Sequence, residues 1–156
     1  MANIIASYNA NLFRPAVLRK VTQNTIDAIR ELKKTLKFDA IAFRGSSGAA
    51  LAFAVSSELG IHLIHVRKDS GHSPHPVEGC YSAKRYIILD DFIDTGKTIS
   101  EIVSKIDIHY FYEGRAAPKL VGIVLYNAVS RYKPHYIRRL SGLEFGELVI
   151  VSHGRK

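Results

Sequence analysis

Residues 87–100 read Ile-Ile-Leu-Asp-Asp-Phe-Ile-Asp-Thr-Gly-Lys-Thr-Ile-Ser. An apolar run meets two adjacent acids, Asp90 and Asp91. A short turn holding Thr95, Gly96, Lys97 and Thr98 follows. Side by side, two carboxylates can hold a sugar diol or Mg²⁺. Backbone N–H groups of a glycine-containing turn that opens a helix form an anion site. A phosphate cradle beside a diol or metal site suits a ribose 5-phosphate. Gly96-Lys97-Thr98 also ends like a Walker A loop, but that loop needs a glycine five residues before its Gly-Lys pair. Asp91 stands there. A carboxylate where backbone must wrap phosphates excludes that assignment.

Two further groups carry charge at the ends of apolar runs. Phe43-Arg44-Gly45-Ser46-Ser47-Gly48 combines a forked phosphate donor with glycines that let backbone approach an anion. Taken alone, it also fits the start of a capped helix. Val66-Arg67-Lys68 ends the next apolar run. Asp69–Gly79 follows, with Gly71, Pro74, Pro76 and Gly79 marking a loop. His72 and His75 are spaced like metal ligands, but no third ligand is near, so a solvated loop is the better assignment.

The 87–100 segment resembles the phosphoribosyl-pyrophosphate (PRPP) signature of type I phosphoribosyltransferases: four apolar residues, two acids, two small or apolar residues, then a phosphate loop. The resemblance implies an α/β fold with a mostly parallel central sheet flanked by helices and a small hood from the chain termini. It implies transfer of ribose 5-phosphate from PRPP to a nitrogenous base, with Mg²⁺ as cofactor. PRPP would be bound by Arg44, Gly45, Ser46, Arg67, Lys68, Asp90, Asp91, Thr95, Gly96, Lys97 and Thr98. Asp90 and Asp91 would also hold the metal, and Asp69–Gly79 would close over the site. A homo-oligomer, dimer or tetramer, is implied as well.

The C-terminal part is similar to the 6-oxopurine branch of that family, which uses hypoxanthine, guanine or xanthine. Tyr132-Lys133-Pro134-His135-Tyr136 is followed nine residues after Tyr136 by Phe145. The resemblance makes Phe145 the ring that stacks on the base; a core phenylalanine is the equal alternative. Asp94, just before Thr95-Gly96, corresponds to the acid that handles the base proton, and is the catalytic candidate. Two positions depart from the branch. Asn127 stands where a lysine often binds the 6-oxo group, so it becomes a neutral base-binding candidate. Ser152 stands where some members have an acid.

Positioning these groups requires alternating helices and strands. Leu18, Val21, Thr25, Ile29, Leu32 and Leu36 recur at three and four residues, after Pro15, and predict a helix. Strands are predicted at Asp39–Phe43, Ile61–Val66, Tyr86–Leu89, Leu120–Tyr126 and, last or at an edge, Leu148–Val151. A helix over Ala49–Leu59 is expected to be capped by Ser46 or Ser47 and closed by Gly60. Another begins at Lys97 and runs to Ile106. Alternation of this kind predicts an α/β domain with a mostly parallel sheet.

The 156 residues predict one domain, 1–156. One cysteine, Cys80, excludes an intrachain disulfide framework and a multi-cysteine zinc site. No apolar run is long enough for a membrane span and no secretory leader is visible, so a cytoplasmic protein with no membrane partner is expected. Lys and Arg total 22 against 14 acids, a balance of +8. That surplus suits a polyphosphate and equally suits nucleic acid. The alternative function is therefore a nucleotide-sensing regulator on the same scaffold that binds RNA or DNA. Arg131, Lys133, Arg138, Arg139, Arg155 and Lys156 would serve it.

Overall fold

A computed structural model describes residues 10–68, 74–128 and 134–153. After a 3-10 turn at Ala10–Phe13, the elements are α1 (Pro15–Thr35), β1 (Ala40–Arg44), α2 (Gly45–Leu59), β2 (His62–Val66) and β3 (Val77–Gly79). They continue with β4 (Arg85–Asp90), α3 (Lys97–Tyr112), β5 (Lys119–Leu125), α4 (Pro134–Ser141) and β6 (Glu147–Ile150). The strands form one six-stranded sheet in the order β3-β2-β1-β4-β5-β6. Every pairing is parallel except β2 with β3. The α/β class and the mostly parallel sheet expected from the sequence are observed. No helix among the described residues is long and apolar enough to cross a membrane.

The connectivity creates the crevice that matters. From β1 the chain moves outward to β2, then returns to lay β4 on the other side of β1. Adjacent strands whose connections leave in opposite directions open a gap beyond their carboxyl ends, where α/β folds bind ligands. Arg44 ends β1 and Asp90 ends β4, so both stand at that gap.

Side-chain alternation divides the core between the two faces of the sheet. Ile41, Phe43, Ile87 and Leu89 face α1 and α2, meeting Ile29, Leu51 and Val55. Ala40, Ala42, Tyr86 and Ile88 face α3, meeting Ile99, Ile102 and Ile106. In α1, Val21, Thr25, Ile26, Ile29 and Leu32 are buried, and Pro15 opens the helix as expected. Leu36 packs partly against the same core from the C-cap position, one residue beyond the helix.

Three local expectations change. Helix α2 starts at Gly45, with no side-chain cap; Gly45, at φ +66°, makes the sharp exit from β1. Ser47 is drawn instead to a buried carboxylate. Gly60 closes the helix in the left-handed conformation (φ +62°), as predicted. Val77–Gly79, placed within a loop by its prolines and glycines, forms a short antiparallel edge strand. Three residues carry too little alternation to show a strand in sequence. The same holds for α4, eight residues long and unpredicted. Residues 69–73 of the expected closing loop, including His72, lie outside the described residues, as do Tyr132 and Lys133.

Close packing of α2 on the sheet depends on Gly48. A Cβ there would lie 2.8 Å from Phe43 Cβ and 3.2 Å from the Leu89 carbonyl oxygen. Alanine would gain about 1 kcal/mol of helix propensity and incur roughly 1–3 kcal/mol of overpacking. Gly48→Ala is therefore expected to destabilise the protein by up to about 2 kcal/mol, against the usual benefit of such a change in a helix. Urea unfolding checks this; a more stable variant would show that the contact relaxes freely.

Candidate functional site

The carboxyl ends of β1 and β4 open into a cavity of about 710 Å³. Its floor is the acid pair. Asp90 is 4% exposed and Asp91 7%. An apolar strand that ends inside the fold carries its first polar residues there before the chain escapes to the surface. Donors compensate the burial in part. The Asp91 N–H donates to Asp90 Oδ1 (2.9 Å), Ser47 Oγ donates to the same oxygen (3.0 Å), and the Phe92 N–H donates to Asp91 Oδ1 (2.8 Å). Tyr126 braces this from behind, donating its hydroxyl to the Ser47 carbonyl (2.6 Å). Burial, then the Asp91 and Asp90 charges, pushes the Tyr126 phenol well above its ordinary range, so it remains a donor. Burial, and next the neighbouring Asp91 charge, pushes the Asp90 carboxyl up to about 7, against the hydrogen bonds that favour its charged form.

The turn after β4 supplies the anion cradle. Gly96 adopts φ +79°, a conformation other residues rarely take, and its N-cap position carries no side-chain cap. The N-cap residue itself therefore offers no side-chain acceptor to the donors at the start of α3, beside the cavity. Thr95 Oγ1 accepts from the Lys97 N–H at 3.3 Å, shaping the turn. The N–H and the hydroxyl of Ser100 both donate to the Gly96 carbonyl, at 3.1 and 3.2 Å.

Cations approach from the other wall. Arg44 is 10% exposed and paired with Glu101 of α3. Lys68 lies over Gly45, where an added Cβ would meet Lys68 Cε at 3.0 Å and Nζ at 3.3 Å.

Most of the residues singled out in the sequence thus converge. Arg44, Ser46 and Lys68 line the cavity from the β1 and β2 ends. Asp90, Asp91 and Asp94 line it with Thr95, Gly96, Lys97 and Thr98 from the β4 side. Gly45 sits at the turn beneath Lys68. Three residues stand apart. Arg67 turns to the edge strand, with Nη1 at 3.2 and 3.4 Å from the two Glu78 carboxylate oxygens. Asn127 is exposed and uses its backbone N–H on the Asp91 carbonyl (2.8 Å). Phe145 is buried in the core under α3, with the Arg138 guanidinium 5.1 Å from its ring centre. It does not line the cavity, so the structure gives it the core place that the sequence left open.

Sequence inspection missed the apolar wall. Leu12, Phe13 and Leu18 bring the 3-10 turn and the first turns of α1 over the cavity, and Phe13 is 65% exposed. The apolar pair Leu12-Phe13 just ahead of a proline-initiated helix was the available signal. Ser47, Tyr126 and Glu101 were also missed as partners, since nothing local marks them.

A divalent cation fits the acid pair in ligand chemistry. Oxygen donors suit Mg²⁺, which commonly takes one or two carboxylates and completes its shell with water and substrate phosphates. Among the described residues no cluster of three or more His, Cys, Asp or Glu side chains forms an all-protein metal cage.

No family model and no curated protein matches the chain. Solved structures do. UMP synthase from Leishmania donovani superposes with a TM-score of 0.62 at 23% identity, over 97% of this chain and 33% of that one. This chain therefore spans about a third of the length of that protein. Orotate phosphoribosyltransferase from Francisella tularensis gives 0.64 at 19% identity, covering 92% of this chain and 70% of that one. Adenine phosphoribosyltransferase from Saccharomyces cerevisiae, complexed with an iminoaltritol bisphosphate and adenine, gives 0.63 at 16% identity, covering 93% and 85%. The fold is that of the type I phosphoribosyltransferases.

The raised Asp90 carboxyl sets a pH dependence. Below an ordinary aspartate value of 3.8 it is neutral in both folded and unfolded chains. Between there and about 7 the unfolded chain loses its proton while the folded chain keeps it, so stability falls as pH rises and then levels off. Asp90→Asn is expected to match the parent at pH 4 and to exceed it at pH 8 by roughly 1–3 kcal/mol. Thermal unfolding at both pH values checks this. An equal deficit at both would show that the Asp90 carboxylate is fully compensated.

Proposed function

We propose that this protein is a PRPP-dependent phosphoribosyltransferase, moving ribose 5-phosphate from PRPP to a nitrogenous base and releasing pyrophosphate. The observation that carries this reading is the buried Asp90–Asp91 pair. It lies in one cavity between an uncapped glycine turn and the Arg44 and Lys68 cations.

In this reading the 5′-phosphate is held by backbone N–H groups around Thr95, Gly96, Lys97 and Thr98. Asp90 and Asp91 accept from the ribose hydroxyls and present oxygen ligands to Mg²⁺. The metal, when bound, supplies charge neutralisation at the pyrophosphate. Arg44 and Lys68 hold the same group as the bond from the ribose carbon C1′ to the pyrophosphate oxygen breaks and a bond from C1′ to the base nitrogen forms. Positive charge grows on the sugar during that exchange, and the carboxylate floor offsets it. Asp94, exposed on the cavity wall, accepts the proton that the base nitrogen gives up.

The finer part of the proposal is a 6-oxopurine acceptor, supported by Asp94 immediately before Thr95 and Gly96 on the cavity wall. With Phe145 in the core, the apolar contact to the base is assigned to Phe13 and Leu12. A homo-oligomer, Mg²⁺ and a single domain over 1–156 belong to the same reading.

Incubating the protein with PRPP, Mg²⁺ and each of guanine, hypoxanthine, xanthine, adenine, orotate and uracil tests it. A nucleotide is expected with at least one 6-oxopurine. Turnover with the other bases alone would remove the finer assignment, and nucleotide binding without turnover of any base would leave a sensor. Replacing both Asp90 and Asp91 by Asn is expected to abolish Mg²⁺-dependent PRPP binding by calorimetry while the fold persists. Phe13→Ala is expected to weaken base binding by about 1–3 kcal/mol, the scale of base–aromatic stacking.

A further inference from the structure

The least exposed cation on the cavity wall is already taken by an anion of the chain itself. Arg44 is 10% exposed, and its guanidinium pairs with the Glu101 carboxylate, one turn into α3. The other oxygen of Glu101 lies 3.7 Å from Lys97 Nζ in the phosphate turn. A single carboxylate therefore ties together cations from the two walls of the cavity, the β1 turn and the start of α3. Glu101 is not part of the lining, whereas Arg44 and Lys97 are. Arg44 Nε is buried and has no hydrogen-bond partner among the described residues, so the guanidinium retains donor capacity that Glu101 does not use.

A buried guanidinium without a counter-charge is strongly unfavourable. With a multiply charged anion in the cavity, the same carboxylate becomes a like charge behind the cation. We propose that Glu101 is an internal counter-anion of the pyrophosphate subsite. It balances Arg44 while the cavity holds no ligand, gives Arg44 over to the pyrophosphate group when ligand binds, and then sets how firmly that group is retained. This rests on the PRPP reading of the site. Ligand binding at Arg44 is then an exchange of anions, in which the displaced anion stays tethered to the protein. The Glu101 charge favours departure of the product that the reaction must release.

Calorimetry with inorganic pyrophosphate and Mg²⁺, over a series of salt concentrations, tests the proposal. Glu101→Gln keeps the shape and an acceptor for Arg44 but removes the charge. It is expected to bind pyrophosphate roughly fivefold more tightly or better, the scale of one unit charge a few Å away in a partly screened site. It is also expected to show a steeper dependence of log Kd on log salt, by about one ion. In the variant a bulk anion covers Arg44 and is released, whereas in the parent the tethered carboxylate is not. Glu101→Ala should shift both in the same direction, which guards against a fault particular to glutamine. Glu58→Gln makes the same change in net charge at an exposed pair with Arg30 and should leave both unchanged. Equal or weaker binding in the Glu101 variants overturns the proposal, as does tighter binding without the steeper slope. If the parent binds pyrophosphate and the variants fail to tighten, only this inference falls. If the folded parent binds no pyrophosphate, the PRPP reading falls with it.

Discussion

Two carboxylates buried at the end of an apolar strand are the constraint on which the site depends. Strand β4 is buried from Tyr86 onward, so the chain emerges from the core with Asp90 and Asp91 still inside it. Water cannot solvate them fully, and adjacent like charges make joint ionisation harder. Among the described residues, hydrogen-bond donors answer that burial. The Asp91 and Phe92 N–H groups, formed by the turn itself, serve the two acids, and Ser47 reaches across from α2. Two adjacent carboxylates lining one cavity are suited to hydroxyl donors or a divalent ion arriving with a substrate.

The packing of neighbouring elements follows from that need. Ser47 can reach Asp90 because α2 begins directly at the end of β1, without a linker. Gly48 in turn lets the helix lie against Phe43 and the Leu89 carbonyl. Tyr126, at the end of β5, holds Ser47 through its carbonyl, and its backbone N–H donates to the Asp90 carbonyl at 3.1 Å. Three strand ends and one helix start are thus joined around one carboxylate. A hydrogen-bonded network of this kind holds the floor of the cavity rigid.

Charge is arranged with the same asymmetry. The sequence has a surplus of eight positive charges, yet the cation most buried at the cavity is balanced by a neighbouring acid. Exposed cations such as Lys68 and Lys97 draw anions from a distance and are readily screened. Arg44, with its fork fixed in a low-dielectric position, acts at contact distance.

From the sequence alone, the strand, the acid pair, the glycine turn and the helix start of 87–100 were legible, because these groups are neighbours along the chain and their geometry is local. The parallel sheet was legible from the alternation of elements. That in turn placed Arg44 and Lys68 beside Asp90, since such sheets gather their carboxyl strand ends at one edge. Tertiary structure decided what depends on which face a side chain takes. Arg67 and Lys68 are adjacent in sequence, but one turns to Glu78 and the other to the cavity. Phe145 has an aromatic's choice between ligand and core, and packing under α3 settled it. Ser47 looked like a helix cap until a buried acid offered a stronger partner. Leu12 and Phe13 reach the cavity, and Glu101 reaches Arg44, across separations that no periodicity records. Such contacts form only when the sheet brings distant segments together, so no local pattern in the sequence encodes them.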